Sequence, residues 1–451
     1  MIAPARVAAY EILVAVAGGR DLPSAIASAR GGLRDDRDRA LAAEIAAGVQ
    51  RWRAALDHVI GTASKRPLGQ LDPQVLDILR LSLYQLLHLT RVPASAVVDD
   101  GVELVRRAGK SSAAGFVNAV LRSISRKRQA LPLPPRPEDL SDRQAALDYF
   151  SITLSHPRWL AARWYDRLGF ATAEEWLQFD NRPAPLTLRT NRLRTTTAAL
   201  TEQLARDDVY VRPGQYAPDA LIVEDGNPLR LTETAGFVPQ DEAYQLVAAL
   251  IAARPGTRIL DTCASPGGKT TAMAADMSSQ GLLVACDVRD RRVALLRRTI
   301  ASTGATNVRV VQADASQPLP FSVTFDTVVA DVPCSGLGTL RRDPDIRWRR
   351  QEADLRAFAR DQIAILRNAA EAVRPGGRLV YATCSSEPEE NEQIAAAFLE
   401  ETPAFRPLHA RDAAPALPEA VVDAHGHLRT EPHRHGLEAF FGAVFERTLG
   451  L

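Results

Sequence analysis

The fold of this chain is decided by the stretch Asp261-Thr262-Cys263-Ala264-Ser265-Pro266-Gly267-Gly268-Lys269-Thr270. An apolar run precedes it and a helical pattern follows, so it is predicted to be the turn of a strand–turn–helix unit. Gly267 and Gly268 allow a ligand to approach the backbone closely, and the helix N-terminus offers free amides. The glycine spacing fits neither a P-loop nor the dinucleotide fingerprint. Taken alone, the turn also fits an ordinary tight connection between a strand and a helix.

Apolar, β-rich runs surround this turn and alternate with helical segments. The runs are Arg258–Asp261, Leu282–Val288, Val308–Ala313, Phe325–Ala330 and Arg378–Thr383. Helices are predicted between them, for example at Arg291–Thr303 and Ala353–Val373. Continuous apolar strands that alternate with helices are typical of a parallel sheet covered on both faces. Residues 241–451 are therefore predicted to form an α/β domain.

The part of the chain before this domain has a different character. Residues 1–130 place apolar side chains at helical spacing and predict an all-helical domain, with Val75–Leu89 as its central helix. Prolines 132, 134, 135 and 137 predict a linker. Residues 142–240 combine a helical stretch with short apolar runs and predict a small α+β connector. Its strands are predicted at Leu186–Thr190, Val209–Val211 and Ala220–Val223.

Length and composition fit a globular protein of several domains, with 451 residues, of which 46% are hydrophobic and 24% are charged. The net charge of +1 provides no overall field for nucleic acid, so such a partner requires a local patch. The spacing of the four cysteines favours reduced thiols in the cytoplasm over a zinc ribbon or a disulfide framework. Neither a membrane span nor a signal peptide is expected. Nothing in the sequence suggests more than a monomer.

Two aspartates at predicted strand ends indicate a nucleoside ligand. Asp287 ends the strand after the glycine turn, where a carboxylate can accept hydrogen bonds from both ribose hydroxyls. Asp314 ends the third strand, within reach of the base. Each aspartate alone is equally well explained as a helix cap. Their order after the turn favours an adenosine with a small charged appendage, such as S-adenosylmethionine, over a dinucleotide.

Two of the cysteines are predicted to be reactive. Cys334 and Cys384 follow apolar runs and are flanked by Pro, Ser and Gly, whereas Cys286 lies inside a strand and is predicted to be a buried apolar side chain. Carbon 5 of cytosine becomes nucleophilic when a thiolate adds to carbon 6, and it can then take a methyl group from a sulfonium. A second group must remove the carbon 5 proton. A pair of strand-end cysteines fits this chemistry.

Basic residues follow Cys334, and they suggest contact with phosphate and stacking on a base. The predicted RNA contacts there are Arg341, Arg342, Arg347 and Trp348. A solvated charged loop is the alternative. Arg126, Lys127 and Arg128 are a weaker candidate, because the helix dipole also favours basic residues at a helix end. His433 and His435 have no obvious third ligand, and no metal site is predicted.

These motifs resemble the RNA (cytosine-5) methyltransferase family, and within it the RsmB/Sun group. Asp261–Thr270, Asp331–Gly336 and Tyr381–Ser386 are similar to three family motifs, and Glu390-Asn391-Glu392 follows the third. Arg80–Leu87 and Phe116–Arg122 resemble the NusB fold, an RNA-binding helical bundle. The resemblance covers nearly the whole chain. It implies a Rossmann-like class I methyltransferase domain after an all-α NusB-like bundle and an α+β connector.

The resemblance also implies roles for individual residues. Cys384 is expected to be the nucleophile, Cys334 to assist release of the methylated base, and Asp331 with Lys269 to polarise the cytosine. The expected S-adenosylmethionine contacts are Cys263, Ala264, Ser265, Pro266, Gly267, Gly268, Lys269, Asp287, Asp314 and Asp331. The expected partner is 16S ribosomal RNA or an assembling small subunit. Two departures from the family pattern, Ser265 and Tyr244, are expected to change only packing.

Other functions fit parts of the same pattern. One alternative is cytosine-5 methylation of a transfer RNA. Another is methylation of DNA, with Cys334 as the nucleophile and Cys384 dispensable. The third is an RNA-binding assembly factor without catalysis. The second thiol and the helical domain argue against DNA, and the intact cysteine pair argues against a factor that lacks catalysis.

Overall fold

The computed structural model describes residues 2–231 and 235–449. The chain forms two compact units. The first contains Met1–Pro183 and Leu340–Glu352, and the second contains Ala184–Thr339 and Ala353–Leu451. This boundary divides the predicted connector at residues 142–240, because residues 142–183 belong to the first unit and residues 184–240 to the second. The division into three domains remains a prediction.

Helices are the only regular secondary structure among the described residues of the first unit. Its N-terminal helices are α1 Pro4–Ala17, α2 Leu22–Arg30, α3 Asp36–Arg51, α4 Arg53–Ser64, α5 Pro73–His88, α6 Ala94–Arg107 and α7 Ala114–Arg126. Residues 131–137 form no helix, as the prolines predict. Then come α8 Arg143–Asp148, a π-helical turn at Tyr149–Thr153 and α9 Arg158–Asp180.

Helix α5 is the centre of the bundle, as its sequence predicts. Asp72 caps its first turn by accepting a hydrogen bond of 2.9 Å from the Gln74 amide, and Pro73 starts the helix with the backbone angle it requires. Val75 to Leu86 are all buried, because helices pack against every side of α5. A helix apolar all round has no face suited to water, so the surrounding bundle is a requirement of this sequence.

The second unit begins with a small antiparallel sheet. Its strands are β1 Thr187–Thr190, β2 Tyr210–Pro213, β3 Ala220–Asp225 and β4 Phe237–Pro239, in the order β2-β3-β1-β4. Helix α10, Thr197–Arg206, contributes Leu200 and Leu204 to a core shared with these strands. The three predicted strands lie within two residues of β1, β2 and β3. β4 was not predicted.

The main sheet of the second unit is mostly parallel. Its strands are β5 Arg258–Asp261, β6 Leu282–Asp287, β7 Val308–Gln312, β8 Phe325–Asp331, β9 Val373–Thr383, β10 Phe405–Leu408, β11 Leu428–Thr430 and β12 Phe440–Arg447. The order is β10-β12-β9-β8-β5-β6-β7, with β11 beside β12. Strands β5 to β9 are parallel, whereas β12 is antiparallel to its neighbours. The prediction of a mostly parallel α/β sheet is confirmed.

Alternate residues of each central strand pack into opposite cores. In β5, Ile259 belongs to one core and Leu260 to the other, and Val329 and Val328 divide in the same way in β8. Because successive side chains of a strand point to opposite faces, helices must cover both. The main helices that do so are α11 Glu242–Ile251, α12 Gly268–Asp276, α13 Asp290–Thr303, Asp354–Glu371 and Glu392–Glu401. Among the described residues, no helix is long and apolar enough to cross a membrane.

Candidate active site

The carboxyl ends of the parallel strands form the site. Strand β5 is central, with β6 and β7 on one side and β8 and β9 on the other. The chain therefore reverses its direction of travel across the sheet beside β5. In open α/β sheets, ligands bind in the crevice that such a reversal leaves at the carboxyl ends. The glycine turn follows β5 and lies at this point.

Cys334 and Cys384 come together at this edge. β8 and β9 are adjacent parallel strands, and their register pairs Asp331 with Ala382. Cys384 follows β9 directly, Cys334 comes three residues after β8, and their sulfur atoms are 3.1 Å apart. Both side chains are half-buried. The predicted pairing of the thiols is therefore present in the structure.

The turn after Cys334 approaches the Cys384 backbone closely. The Gly338 amide donates a 3.0 Å hydrogen bond to the Cys384 carbonyl. A Cβ atom on Gly338 would lie 2.0 Å from the Ala439 carbonyl oxygen and 2.8 Å from that of Cys384. Only glycine fits there, so this position fixes how closely the two thiol turns approach each other.

The electrostatic surroundings of Cys334 favour its neutral thiol. The hydrogen bond with Cys384 and burial raise the pKa of Cys334 well above its ordinary value, and the negative charge of Glu390 adds to both. The Glu390 carboxylate lies beneath the two turns and is buried. It accepts hydrogen bonds from the side chains of Ser335 and Ser385, which follow the two cysteines. The sequence analysis noted Glu390 only as part of a motif.

Lys269 and Asp331 form an ion pair beside the thiols. Burial alone would lower the pKa of Lys269, but Asp331 and Tyr244 outweigh it and raise the pKa, so the ammonium remains charged. The ammonium nitrogen lies 3.2 Å from the centre of the Tyr244 ring. This cation–π contact shows that Tyr244 does more than change packing, which corrects the expectation for that position.

The glycine turn is shaped to take a ligand against its backbone. Gly267 has φ of +108°, and a Cβ atom there would lie 3.0 Å from Leu296. The Thr270 hydroxyl donates a 2.8 Å hydrogen bond to the Asp261 carboxylate and ties the two ends of the turn together. Burial raises the pKa of Asp261 to about 7. The Ser265–Pro266 peptide bond is cis.

A cavity runs from this turn along the ends of β6 and β7. It is lined by Thr262, Cys263, Asp287, Val288, Arg292, Ala313, Asp314, Ala315, Ser316, Pro333 and Ile365. Asp287 is 3% exposed, whereas Asp314 is exposed. Each also accepts a hydrogen bond from the backbone amide two residues later, at 3.3 Å from Arg289 and 2.9 Å from Ser316. Neither aspartate caps a helix, because the N-cap of α13 is Arg289 and turn residues follow Asp314, so the capping interpretation is wrong at both positions.

Some cavity residues gave no signal in the sequence. Arg292 and Ile365 lie on helices, and the sequence analysis considered only strand ends and the turn. Cys263 lines the cavity, and burial raises the pKa of its thiol, so its sulfur is not activated. Burial likewise raises the pKa of Cys286 to about 12, and this side chain is fully buried, as predicted.

Arg341 and Arg347, in the basic segment after Cys334, are buried in the first unit, which contradicts their prediction as RNA contacts. Arg347 is 0% exposed. Its guanidinium donates hydrogen bonds to the backbone carbonyls of Arg51, Ser155 and Asp180 and to the Asn181 side chain. A guanidinium saturated in this way inside the protein cannot reach a phosphate.

The residues around Arg347 are engaged in the same way. The Arg341 guanidinium lies over the Phe179 ring, 4.1 Å from its centre. The Trp348 indole donates a 2.6 Å hydrogen bond to the Gln50 carbonyl. Arg342 is half-buried. The segment packs within the unit, because distant residues supply the acceptors and the ring that its basic side chains require.

Exposed basic residues occur elsewhere. Arg126, Lys127 and Arg128 are exposed at the end of α7, in agreement with the weaker prediction of a basic surface. In the second unit, helix α13 exposes Arg291, Arg292, Arg297 and Arg298, and Arg289 is exposed just before it. The sequence analysis did not single out this arginine-rich helix, although its composition was a readable signal.

The fold and this edge define a class of protein. A mostly parallel sheet with helices on both faces, and a glycine cradle that leads to an acidic residue on the next strand, characterise Rossmann-like methyltransferases. The cradle and the buried carboxylate of Asp287 suit an adenosine ligand. The second unit is therefore a Rossmann-like methyltransferase domain, and its methyl donor is S-adenosylmethionine.

Comparison with known families names the group. Residues 248–446 match the model described as 16S rRNA methyltransferase RsmB/F, and residues 3–126 match the NusB family. Residues 156–230 match the ferredoxin-like domain of RsmF/B-like methyltransferases. The chain belongs to the RsmB group of this family, with a NusB domain at its N-terminus.

Individual relatives extend over most of the chain. It is 33% identical to a probable ribosomal RNA small subunit methyltransferase B of Bacillus subtilis, over 90% of each chain. It is 36% identical to a putative methyltransferase of Mycobacterium tuberculosis, which covers 98% of this chain and 96% of the relative. The relative from Pseudomonas putida, a ribosomal RNA small subunit methyltransferase B, is 32% identical over 89% and 90%.

Solved structures share the fold. The crystal structure of PH0851 matches with a TM-score of 0.83 at 24% identity, over 99% of each chain. NSun6 from Pyrococcus horikoshii, solved with the S-adenosylmethionine analogue SFG, matches with a TM-score of 0.58 at 20% identity. That match covers 64% of this chain and 98% of the other.

Proposed function

We propose that this protein methylates carbon 5 of one cytosine in 16S ribosomal RNA through a covalent adduct with Cys384. The observation that carries the proposal is the approach of two thiols to 3.1 Å beside the turn that holds the methyl donor. Relatives named ribosomal RNA small subunit methyltransferase B support the choice of RNA. The family description supports 16S RNA as the target.

The electron flow requires one nucleophile and one base. The Cys384 thiolate forms a bond to carbon 6, and the carbon 5–carbon 6 double-bond electrons become available at carbon 5. S-adenosylmethionine, when bound, supplies an electrophilic methyl group on a sulfonium. After methyl transfer, Cys334 takes the carbon 5 proton, the double bond re-forms, and Cys384 leaves as a thiolate.

The surroundings of the thiols favour this division of roles. The raised pKa of Cys334 keeps its proton in place, so it can donate a hydrogen bond to a thiolate on Cys384. Once Cys384 has bonded to carbon 6, its sulfur carries no charge and no longer holds that proton. The largest cause of the raised pKa is then removed, so Cys334 can release its proton to solvent and act as the thiolate base that takes the carbon 5 proton.

The remaining site residues would polarise the cytosine ring or bind S-adenosylmethionine. Lys269 and Asp331 form a fixed dipole beside the thiols and would polarise the cytosine. Backbone groups of residues 263–269 would hold the methionine end of the donor, Asp287 the ribose, and Asp314 the region of the adenine. The cytosine must leave any base stack to reach this pocket.

The exposed basic residues of the two units are the candidates for contact with RNA phosphates. Arg289, two residues after Asp287, and the arginines of α13 that follow it are exposed, and Arg126, Lys127 and Arg128 provide a second basic group. Exposed arginines bind phosphates regardless of sequence, because they neutralise charge and release counterions. This explains how a chain with a net charge of +1 can bind RNA.

A methyl-transfer assay tests the proposal. The purified chain is incubated with radiolabelled S-adenosylmethionine and unmodified 16S RNA, small subunits, transfer RNA or duplex DNA. We expect label in 16S RNA, free or within subunits, at a single cytosine that bisulfite sequencing identifies as 5-methylated. Label only in transfer RNA or DNA would redirect the proposal to that substrate. No label in any substrate would favour the binding factor.

A further inference from the structure

Glu390 connects the two turns that carry the thiols. Its carboxylate accepts 2.5 Å hydrogen bonds from the hydroxyls of both Ser335 and Ser385. It also accepts from the Ser335 backbone amide at 2.8 Å and from the Gln362 side chain at 2.9 Å. Ser335 directly follows Cys334, and Ser385 directly follows Cys384. One buried group therefore holds the neighbours of both thiols.

The burial of this carboxylate requires these donors. Glu390 is 0% exposed, and a charge removed from water is costly unless it is fully hydrogen-bonded. Two donors bind each of its oxygens, so its acceptor capacity is well used. The arrangement links the charge to the positions of both serines, because moving either turn outward would remove at least one of the four donors of this buried carboxylate.

Glu390 itself is held from its other side. The Tyr381 hydroxyl donates a 2.6 Å hydrogen bond to the Glu390 carbonyl, and Tyr381 lies in β9. The next residue, Asn391, donates to the Ser385 carbonyl at 2.9 Å and accepts from the Thr383 hydroxyl at 2.5 Å. These contacts fix the carboxylate relative to the sheet, so it can serve as a reference point for both turns.

We propose that Glu390 is a positioning residue that holds Cys334 and Cys384 at the separation and orientation needed to act on one cytosine ring. This inference rests on the proposed function for its catalytic meaning. The claim that Glu390 sets the separation of the two thiols does not depend on the proposed function. Beyond the strand ends, regular pairing between β8 and β9 stops after the bond from the Val332 amide to the Ala382 carbonyl. Past that point, the Glu390 carboxylate and the bond from the Gly338 amide to the Cys384 carbonyl join the two turns.

The charge of the carboxylate supports the same conclusion. It adds to the hydrogen bond from Cys384 and to burial in raising the pKa of Cys334. Asp331 and Tyr381 are the titratable residues at the carboxyl ends of β8 and β9, and the pKa of Tyr381 is itself raised well above its ordinary value, chiefly by burial. Glu390 thus favours a neutral thiol on Cys334 next to the thiolate that Cys384 must form.

Phenylarsine oxide tests the geometry without methyl transfer. This arsenical forms bonds to two neighbouring thiols and releases water, whereas it holds single thiols weakly. The wild-type chain should bind one equivalent, and Cys334→Ala should lose this capture. Glu390→Ala should weaken capture by about tenfold or more, which corresponds to one or two lost hydrogen bonds to a charge. Glu390→Gln should lie between, because an amide satisfies only some of the four partners.

Turnover provides the second readout. In Glu390→Ala, kcat should fall by about 100-fold while KM for S-adenosylmethionine stays within about twofold, because the donor site is intact. Partial recovery in Glu390→Gln is expected. Glu400→Gln, an exposed acid on the next helix, is the matched control and should behave as wild type in both assays. Thermal unfolding of each variant shows whether it is folded.

The outcomes separate the two proposals. A folded Glu390→Ala with wild-type capture and wild-type kcat would overturn the positioning role. If Glu390→Ala does not fold, Ser385→Ala takes its place. It removes one bond to the carboxylate, and it too must weaken capture for the inference to stand. If capture is lost as expected but even the wild-type chain methylates no RNA, the geometric role stands and the proposed function fails.

Discussion

The two halves of the sheet edge are constructed differently. In the nucleoside half, at the ends of β5, β6 and β7, Asp287 and Asp314 are held chiefly by amides of their own turns. In the thiol half, at the ends of β8 and β9, the reacting residues are held by Glu390 and by the close approach of Gly338 to Cys384. Bond making demands tighter placement than binding, and distant supports provide it.

The largest expected effects come from the thiols. Cys384→Ala should reduce methyl transfer to background, because it removes the proposed nucleophile for carbon 6. Cys334→Ala should slow turnover by about 100- to 10,000-fold, the range for loss of an acid–base group, and should accumulate a protein–RNA adduct. Denaturing gels with labelled RNA measure both. Equal, near-normal turnover in both variants would contradict the two-thiol scheme, and loss confined to Cys334→Ala would point to the DNA-type mechanism.

The second largest effect is expected from the exposed arginines of α13, beside the nucleoside half. The triple variant Arg291→Gln, Arg297→Gln and Arg298→Gln should weaken RNA binding by about tenfold or more and make its salt dependence shallower by roughly one unit per lost phosphate contact. Filter binding across a potassium chloride series measures this. The matched triple Arg126→Gln, Lys127→Gln and Arg128→Gln reports on the other basic group. An unchanged salt dependence in both triples would remove these surfaces from the RNA interface.

Within the nucleoside half, replacing the more buried aspartate should weaken binding of S-adenosylmethionine more than replacing the exposed one. Asp287→Asn should weaken binding of S-adenosylmethionine by about tenfold, because it removes a buried charged acceptor. Asp314→Asn should cost only a few-fold, since that carboxylate is exposed. Titration calorimetry gives both dissociation constants. Equal losses would mean that exposure does not distinguish these two aspartates.

The smallest effect on activity is expected at Tyr244, which contacts Lys269 between the two halves. Tyr244→Ser removes the ring that faces Lys269, a contact worth about 0.5–2 kcal/mol, so kcat should fall by a few-fold. Tyr244→Phe keeps the ring and should retain most of the activity. A steady-state comparison of the three proteins is sufficient. If the phenylalanine variant lost as much as the serine variant, the hydroxyl would matter more than the ring.

The strands of the site could be predicted because their signals are local. The apolar runs gave β5 exactly as the structure has it, and β6 and β7 to within one residue. β12 was not predicted, because a single buried run that no helix follows gives no alternating pattern of strands and helices. Antiparallel pairing with β9 depends on the whole sheet.

The arginines show the limit of sequence reasoning more clearly. Charge next to a catalytic motif suggested a surface, yet Arg347 is buried. Its acceptors lie at residues 51, 155, 180 and 181, at least 166 positions away along the chain. Nothing in the local pattern distinguishes an arginine that will find such acceptors from one that faces water. The same holds for Glu390, whose donors come from three separate segments.

The first unit includes a late part of the chain, and this has a consequence for synthesis on the ribosome. Its residues up to Pro183 emerge long before Leu340–Glu352, the segment that supplies Arg347. At ordinary rates of elongation the delay is on the order of ten to thirty seconds. Throughout that interval, the carbonyls that Arg347 will bind must be hydrated or differently paired. The nascent helical unit therefore completes its fold only after the glycine turn and the first thiol have been translated.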